Sequence, residues 1–331
     1  MNHTRLSGMS GIFIKFGAGL LSGALWASAA LAQSWPAQPV KIIVPFTPGT
    51  GMDTIARTVA PHLSQRLGQS VVVQNVPGAS GNIGADQVAK SAADGYTLLM
   101  GANTMLIASQ LYKNVPFNPV RDFAPVSMTA WGTLMLVASP KSGIKTLDEL
   151  IARVKAQPGS ISYGSPGVGT PHHMAMELFN AQTQLTMLHV PYKGSAGYTT
   201  DLLSGEVNVG FLPVHVAAGF VNSGKLQALA VGSNKRHPVA EGVPTIAELG
   251  VKGVDVDMWY ALSAPAKTPD AVVRRINREM VTIMQLPEVR ETLGKAGMDA
   301  AWSTPKELGD IVVKDYARWG EVIRRNNISA E

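Results

Sequence analysis

The chain has 331 residues, no cysteine, 15% charged residues and a formal net charge of +5. Disulfides and thiolate metal sites are therefore excluded. A nucleic-acid surface is not supported either, because the densest cationic pairs, Arg274-Arg275 and Arg324-Arg325, fall in amphipathic helical stretches and read as solvated faces. The length is enough for two domains with cores of their own.

Arg5 and Lys15 lead into an apolar, acid-free run over 16–31, and Ala30-Leu31-Ala32 supplies a small-x-small cleavage pattern. This predicts an export signal over 1–32, cleaved after Ala32, and a periplasmic mature protein. A membrane anchor would need a longer apolar span than a run broken by glycine and serine. Loss of Arg5 and Lys15 lowers the formal charge from +5 to +3.

The β-branched run Val40–Val44 reads as a strand, broken at Pro45, Gly49 and Gly51, after which Ile55, Ala56 and Val59 recur at helical spacing. A glycine loop feeding a helix N-terminus offers free N–H groups and the positive end of the helix dipole to an anion. Any strand-to-helix turn can also use glycine for φ > 0, so both readings stand at this point. A second strand is expected over 70–74, then a loop from Pro77 to Gly81, a helix over 83–92, a turn at Asp94-Gly95 and a third strand over 97–100. The alternation predicts a parallel sheet with right-handed crossovers, which binds ligands beyond the carboxyl ends of its strands. Gly101, Ala102, Asn103 and Thr104 would lie at that edge.

Pro116, Pro119 and Pro125 then punctuate an extended segment over 126–139, read as a crossing into a second domain. There the rhythm restarts: helix Leu147–Ala156, strand 161–163, glycine loop 164–171, helix 172–182, strand 186–190, loop 191–197, helix 198–203, strand 207–211. Segments 226–232 and 254–264 read as extended and returning to the first lobe. Three helices close the chain, opened by Pro269, by Pro287 and by Ser303-Thr304-Pro305 with Glu307 as a capping box. The expected division is 33–128 with 229–331 as one lobe and 129–228 as the other, with a cleft between them.

The loop 164–173 is a second anion-cradle candidate: its glycines free the backbone, Ser165 and Thr170 offer hydroxyls, and His173 lies in the first turn of the next helix. Thr170 as a plain helix cap ahead of Pro171 is the alternative. Adjacent His172 and His173 point to different helix faces and no HExxH is present, so no metal is expected. Asp53 reads as a first-turn acid satisfying the helix dipole. Gly219 to Lys225 imitates a P-loop until Leu226 stands where Ser or Thr is required, Gly49-x-Gly51 lacks the third glycine of a dinucleotide fingerprint, and no GxSxG occurs. No cofactor is expected.

Taken together the motifs carry a resemblance. Val44-Pro45-Phe46 with Gly49 and Asp53-Thr54, Pro77-Gly78-Ala79 with Gly81-Asn82-Ile83-Gly84-Ala85, and Asp94-Gly95-Tyr96-Thr97-Leu98-Leu99 stand in order. Asp122-Phe123-Ala124-Pro125-Val126, Tyr163-Gly164-Ser165 with Gly167 and His173, and His189-Val190-Pro191-Tyr192-Lys193-Gly194 follow. The mature chain resembles the Bug family, the extracytoplasmic receptors of tripartite tricarboxylate transporters. The resemblance implies a two-lobed α/β periplasmic solute-binding fold (type II, Venus-flytrap), each lobe a mainly parallel sheet flanked by helices. It also implies a monomer that is not an enzyme, and that closes on a small carboxylate and hands it to the membrane subunits of the transporter. It implies ligand contacts from Phe46, Gly49, Thr50 and Gly51 with Asn103 nearby, and from Ser165, Gly167, Thr170, His173 and Tyr192 in the second lobe. Many members carry an acid after the phenylalanine that stands here at Phe211, where this chain has Leu212-Pro213. That departure favours a ligand without an amine: a di- or tricarboxylate, or an aromatic acid. The competing classes are a periplasmic hydrolase using Ser165 or Ser195 with His173, and a sensor presenting its ligand to a membrane signalling protein.

Overall fold

The computed structural model describes residue 1, residues 35–254 and residues 256–329. The export signal and its cleavage point fall on positions that, apart from residue 1, lie outside the described residues. The chain forms two compact units, Met1–Ala37 and Gln38–Glu331, and the second carries everything below. Among the described residues no helix is long and apolar enough to cross a membrane.

The β-branched run makes β1, Val40–Val44, which pairs in parallel with β2, Val71–Asn75, and β3, Thr97–Ala102. Helix α1, Gly51–Leu67, joins β1 to β2, and α2, Asn82–Ala89, joins β2 to β3. The chain leaves β3 directly into α3, Thr104–Leu111, a helix the sequence reading did not anticipate. The extended segment expected over 126–139 is two strands, β4, Phe123–Gly132, and β5, Leu134–Ala138, broken at Thr133 and belonging to different sheets.

The second sheet is built from β6, Ser162–Ser165, β7, Leu188–Pro191, β8, Val209–Pro213, and β9, Gln227–Val231, together with β5. Its helices are α4, Leu147–Ala156, α5, Pro171–Thr183, α6, Ser195–Ser204, and α7, Val214–Asn222. The chain returns through β10, Met258–Pro265, and ends with α8, Asp270–Met284, α9, Pro287–Lys295, β11, Asp299–Ala300, and α10, Pro305–Arg325.

Among the described residues the strands make a six-stranded sheet, β11-β4-β10-β3-β1-β2, and a five-stranded one, β7-β6-β8-β5-β9. The pairs β1/β2, β1/β3, β6/β7 and β6/β8 are parallel, as the alternation predicts. The crossing strands add antiparallel pairs, so both sheets are mixed. The reason is geometric: β4 leaves the first sheet at the end to which β1 and β3 point, and β10 re-enters there, so β10 runs against them. The two crossings lie side by side, with Met258 opposite Gly132. Segment 226–232 is extended but does not run back to the first sheet; β9 stays as the edge of the second, paired with β5, and β10 makes the return.

The closing helices pack on the first sheet as expected, α8 against α1 and β4, and α10 against β4 and α3. Helix α8 buries Val273, Ile276, Met280 and Ile283, and Glu279 on the same face is neutralised by Arg66 and Arg275. Helix α10 opens on the anticipated capping box: Thr304 Oγ1 accepts from the Glu307 N–H at 3.2 Å, and Glu307 Oε2 from the Thr304 N–H at 2.8 Å. Thr304→Ala removes one acceptor from an orphan helix donor and should destabilise the protein by roughly 0.5–2 kcal/mol. In urea the unfolding midpoint should fall at constant slope; an unchanged midpoint would mean that the cap contributes nothing.

Candidate ligand-binding cleft

A cavity of about 50 Å³ lies between the sheets, at the strand ends where both crossings occur. Phe46, Thr50, Gly51 and Met52 line it from the loop and first turn after β1, and Ala102 and Thr104 from the end of β3 and the start of α3. Pro166, Thr170, Pro171 and His172 come from the loop after β6 and the first turn of α5, Gly194 and Ser195 from the start of α6, and Met258 and Tyr260 from β10. A second, wider cavity of about 260 Å³ shares Thr50, Gly194 and Ser195 with it and is lined further by Gly49, Tyr192 and Lys193.

Four helices, α1, α3, α5 and α6, begin at this inner cavity, two from each sheet. Each presents first-turn N–H groups without intrahelical partners and the positive end of its dipole. Among the described residues no Asp, Glu, Lys or Arg lines the inner cavity. Its polar surface comes from helix-start backbone, hydroxyls and one imidazole, and the rest of its lining is apolar.

The first cradle is braced from behind by Asp53. Its carboxylate accepts from the Gly49 N–H at 3.0 Å, from Arg57 Nε at 3.0 Å and from Asn75 Nδ2 at 2.9 Å. Burial pushes this carboxyl up, but Arg57, the Gly49 N–H and Asn75 outweigh it and hold the group below its ordinary range. Gly51 is required sterically, since a Cβ there would sit 2.6 Å from Tyr260 Oη.

The second cradle is braced by a ring stack. His173 lies 4.3 Å from His189, and His189 lies 4.7 Å from Tyr163, measured between ring centroids. His173 Nδ1 accepts the Gly169 N–H, and Thr170 Oγ1 donates to Gly167 O at 2.7 Å while accepting from the His173 N–H. Burial, reinforced by His189, pushes His173 down to about 3, and burial pushes His189 down to about 4, so both imidazoles are neutral at pH 7. The cradles also touch each other: Ser80 Oγ, in the loop after β2, donates to Val168 O at 2.7 Å.

Of the residues singled out from sequence, Phe46, Thr50, Gly51 and Thr170 line the inner cavity, and Gly49, Thr50 and Tyr192 the outer one. Tyr192 turns its hydroxyl to Asp201 at 2.5 Å. Asn103, Ser165, Gly167 and His173 line neither cavity. Asn103 is fully buried and donates to Asp257 O at 2.8 Å, tying α3 to the segment before β10; its neighbours Ala102 and Thr104 face the cavity instead. Gly167, at φ 145°, sits at the seam where Ser80 and Tyr192 O approach. His173 points into the stack, and it is His172, about 100° away round the helix, that reaches the cavity. Ser165 is fully buried, with its Oγ 2.7 Å from His189 Nε2, so its partner is not His173 and the pair lies off both cavities, holding the loop. Thr104, placed at the ligand edge of the sheet, and His172, weighed only as a metal ligand, were not named as ligand contacts from the sequence, and Met258 and Tyr260 were not singled out at all. A hydroxyl opening a helix after a strand is a usable signal for Thr104, whereas nothing local marks Tyr260.

Comparison with known proteins gives one consistent picture. Residues 55–328 match the family model described as tripartite tricarboxylate transporter family receptor. Protein BugT of Bordetella pertussis is 37% identical over 326 residues, covering 98% of each chain. Among solved structures, Rpa4515 of R. palustris with adipate superposes with a TM-score of 0.83 at 32% identity, covering 89% of this chain and 99% of that one. MatC of Rhodopseudomonas palustris with bound malate gives 0.81 at 28% identity, covering 87% and 100%.

Asp53→Ala should cost about 1–3 kcal/mol, because it leaves the Gly49 N–H and Asn75 short of an acceptor. A carboxylate held below its ordinary value contributes stability that is present above about pH 4 and lost as pH falls through the folded value. The gap between variant and wild type in urea titrations should therefore narrow below about pH 4; a gap independent of pH would refute the brace.

Proposed function

The chain belongs to the tripartite tricarboxylate transporter receptor family, a family of solute-binding receptors, and from that premise we propose that it captures a small, amine-free dicarboxylate between its lobes. It does so in the periplasm, as a monomer exported by the segment 1–32, and delivers the ligand to the membrane subunits of a tripartite tricarboxylate-type transporter. Turnover of the ligand is not part of this role.

The observation that carries the reading is the meeting of four helix N-termini, two from each sheet, on one cavity with no charged side chain among its described lining residues. Opposed pairs of dipole ends suit an anion on either side, and Phe46, Met52, Ala102 and Met258 between them suit a short hydrocarbon spacer. Among the described residues no carboxylate lines either cavity, so the ammonium group of an amino acid would be desolvated without a counter-charge from them. Lys193 at the outer cavity adds attraction for anions at the entrance. The adipate- and malate-bound relatives support the carboxylate class.

The inner cavity, at about 50 Å³, is smaller than the roughly 300–1,000 Å³ usual for small-ligand sites. Entry therefore requires the lobes to part, and the adjacent crossings at Thr133 and just before Met258 are the hinge. On this reading the lobe division follows the crossings rather than positions 128 and 229.

Calorimetry on the mature chain against succinate, glutarate, adipate, malate, citrate and benzoate, with aspartate and glutamate as controls, tests the proposal. Saturable one-to-one heat is expected from a dicarboxylate, and the best binder at about a hundred times its Kd should add roughly 2.7 kcal/mol of stability. Tight binding of an amino acid, or no binding across the carboxylates, would overturn it. Gly51→Val should abolish binding by driving Tyr260 into the cavity; retained affinity would show that the ligand sits elsewhere.

A further inference from the structure

His172 is absent from the contacts that hold the second cradle together. It is 7% exposed, lines the inner cavity from the first turn of α5, and its Nδ1 is sealed from solvent with no hydrogen-bond partner among the described residues. A buried ring nitrogen left unpartnered is costly, and the neighbouring His173 shows the satisfied alternative, with its own Nδ1 taken by the Gly169 N–H. Among the described residues that line the inner cavity, His172 is also the only imidazole.

Resting on the carboxylate reading above, we infer that His172 is a specificity-determining residue which hydrogen-bonds the ligand carboxylate on the second-lobe side and takes up a proton as it does so. The site thereby acquires on binding the cation that its empty form lacks, and prefers dianions that reach His172 over monoanions that engage only the α1 and α3 ends.

The surroundings allow this. Tyr198 of α6 meets the ring edge-on at 6.4 Å between centroids, and its hydroxyl is committed to Phe211 O at 2.7 Å. From β10, the Tyr260 hydroxyl lies beside Gly51 and donates to Met258 Sδ at 3.4 Å. In the same helix His173 is stacked on His189, and Glu177 accepts from Tyr163. Asp201 is engaged by Tyr192, and Asp53 by Arg57, Asn75 and Gly49. Lys193 lines the outer cavity and not the inner one. Among the described residues that line the inner cavity no carboxylate competes for His172 and no cation opposes its protonation.

Burial alone pushes unliganded His172 down to about 4, so it is neutral at pH 7. A carboxylate within hydrogen-bond reach favours the imidazolium and raises that value. Between the free and bound values binding takes up a proton, so affinity rises as pH falls, by at most about tenfold per pH unit for one full proton.

The test is calorimetry on the mature protein with the tightest binder of the panel above, between pH 5.5 and 7.5, in Tris and in PIPES, whose different ionisation heats report proton uptake. Wild type should take up protons and bind more tightly as pH falls. His172→Asn, which keeps an N–H donor near the Nδ1 position, should still bind but with no uptake and a flat pH profile, while His172→Leu should lose about tenfold or more in affinity at pH 6. Unliganded melting curves check folding, and should the leucine variant unfold, the wild-type imidazole resonance missing from His172→Asn decides: it should move on adding ligand. Binding without proton uptake, an asparagine variant that keeps the pH slope, or an unmoved resonance would overturn the inference while leaving the carboxylate reading intact. Failure of every carboxylate to bind would sink both.

Discussion

The meeting of four helix starts at one cavity, with no charged side chain among its described lining residues, is the constraint that organises this molecule. Helices α1, α3, α5 and α6 each begin at the carboxyl end of a strand, so the orphan donors of all four open at the same edge of their sheets. Two sheets turned edge to edge then bring the donors to one cavity. The residues that would otherwise crowd it are small or hydroxylic, and Gly51 is the tightest case, lying against the Tyr260 hydroxyl.

The bracing behind each cradle differs, and the difference reflects local chemistry. In the first lobe a single carboxylate, Asp53, gathers a loop N–H, an arginine and an asparagine. In the second, neutral rings do the same work, with Tyr163, His189 and His173 stacked under the loop and Ser165 and Thr170 fastening it. Neither brace exposes its charge or its titratable groups to the cavity. The inner cavity is therefore bounded by helix starts and by the imidazole of His172 rather than by either brace. The two crossings between the sheets lie side by side, with Gly132 opposite Met258.

Much of this was legible in the residues. The run Val40–Val44, helix Leu147–Ala156 and the Thr304–Glu307 cap are decided by β-branching, amphipathic spacing and local capping, all short-range effects, and the structure reproduces them. The segment 226–232 shows the limit: its extended form is local, but whether it pairs with β5 or returns to the first sheet depends on strands far away in sequence. The site divides in the same way. Phe46, Thr50, Gly51 and Thr170 belong to the two glycine loops that composition marked and were named as contacts through the family resemblance, whereas Tyr260 comes from a return strand with no local mark.

By itself, then, the sequence determined the alternation of strands and helices, the two glycine loops ahead of helix starts and the family to which the chain belongs, because these depend on hydrogen bonding and hydrophobic period within a few residues. Tertiary structure alone decided which side of each first turn faces the cavity. Choosing His172 over His173, and Thr104 over Asn103, requires knowing how α5 and α3 are rotated against their sheets. That rotation is fixed by packing against distant residues such as His189 and Asp257, and no local pattern encodes it.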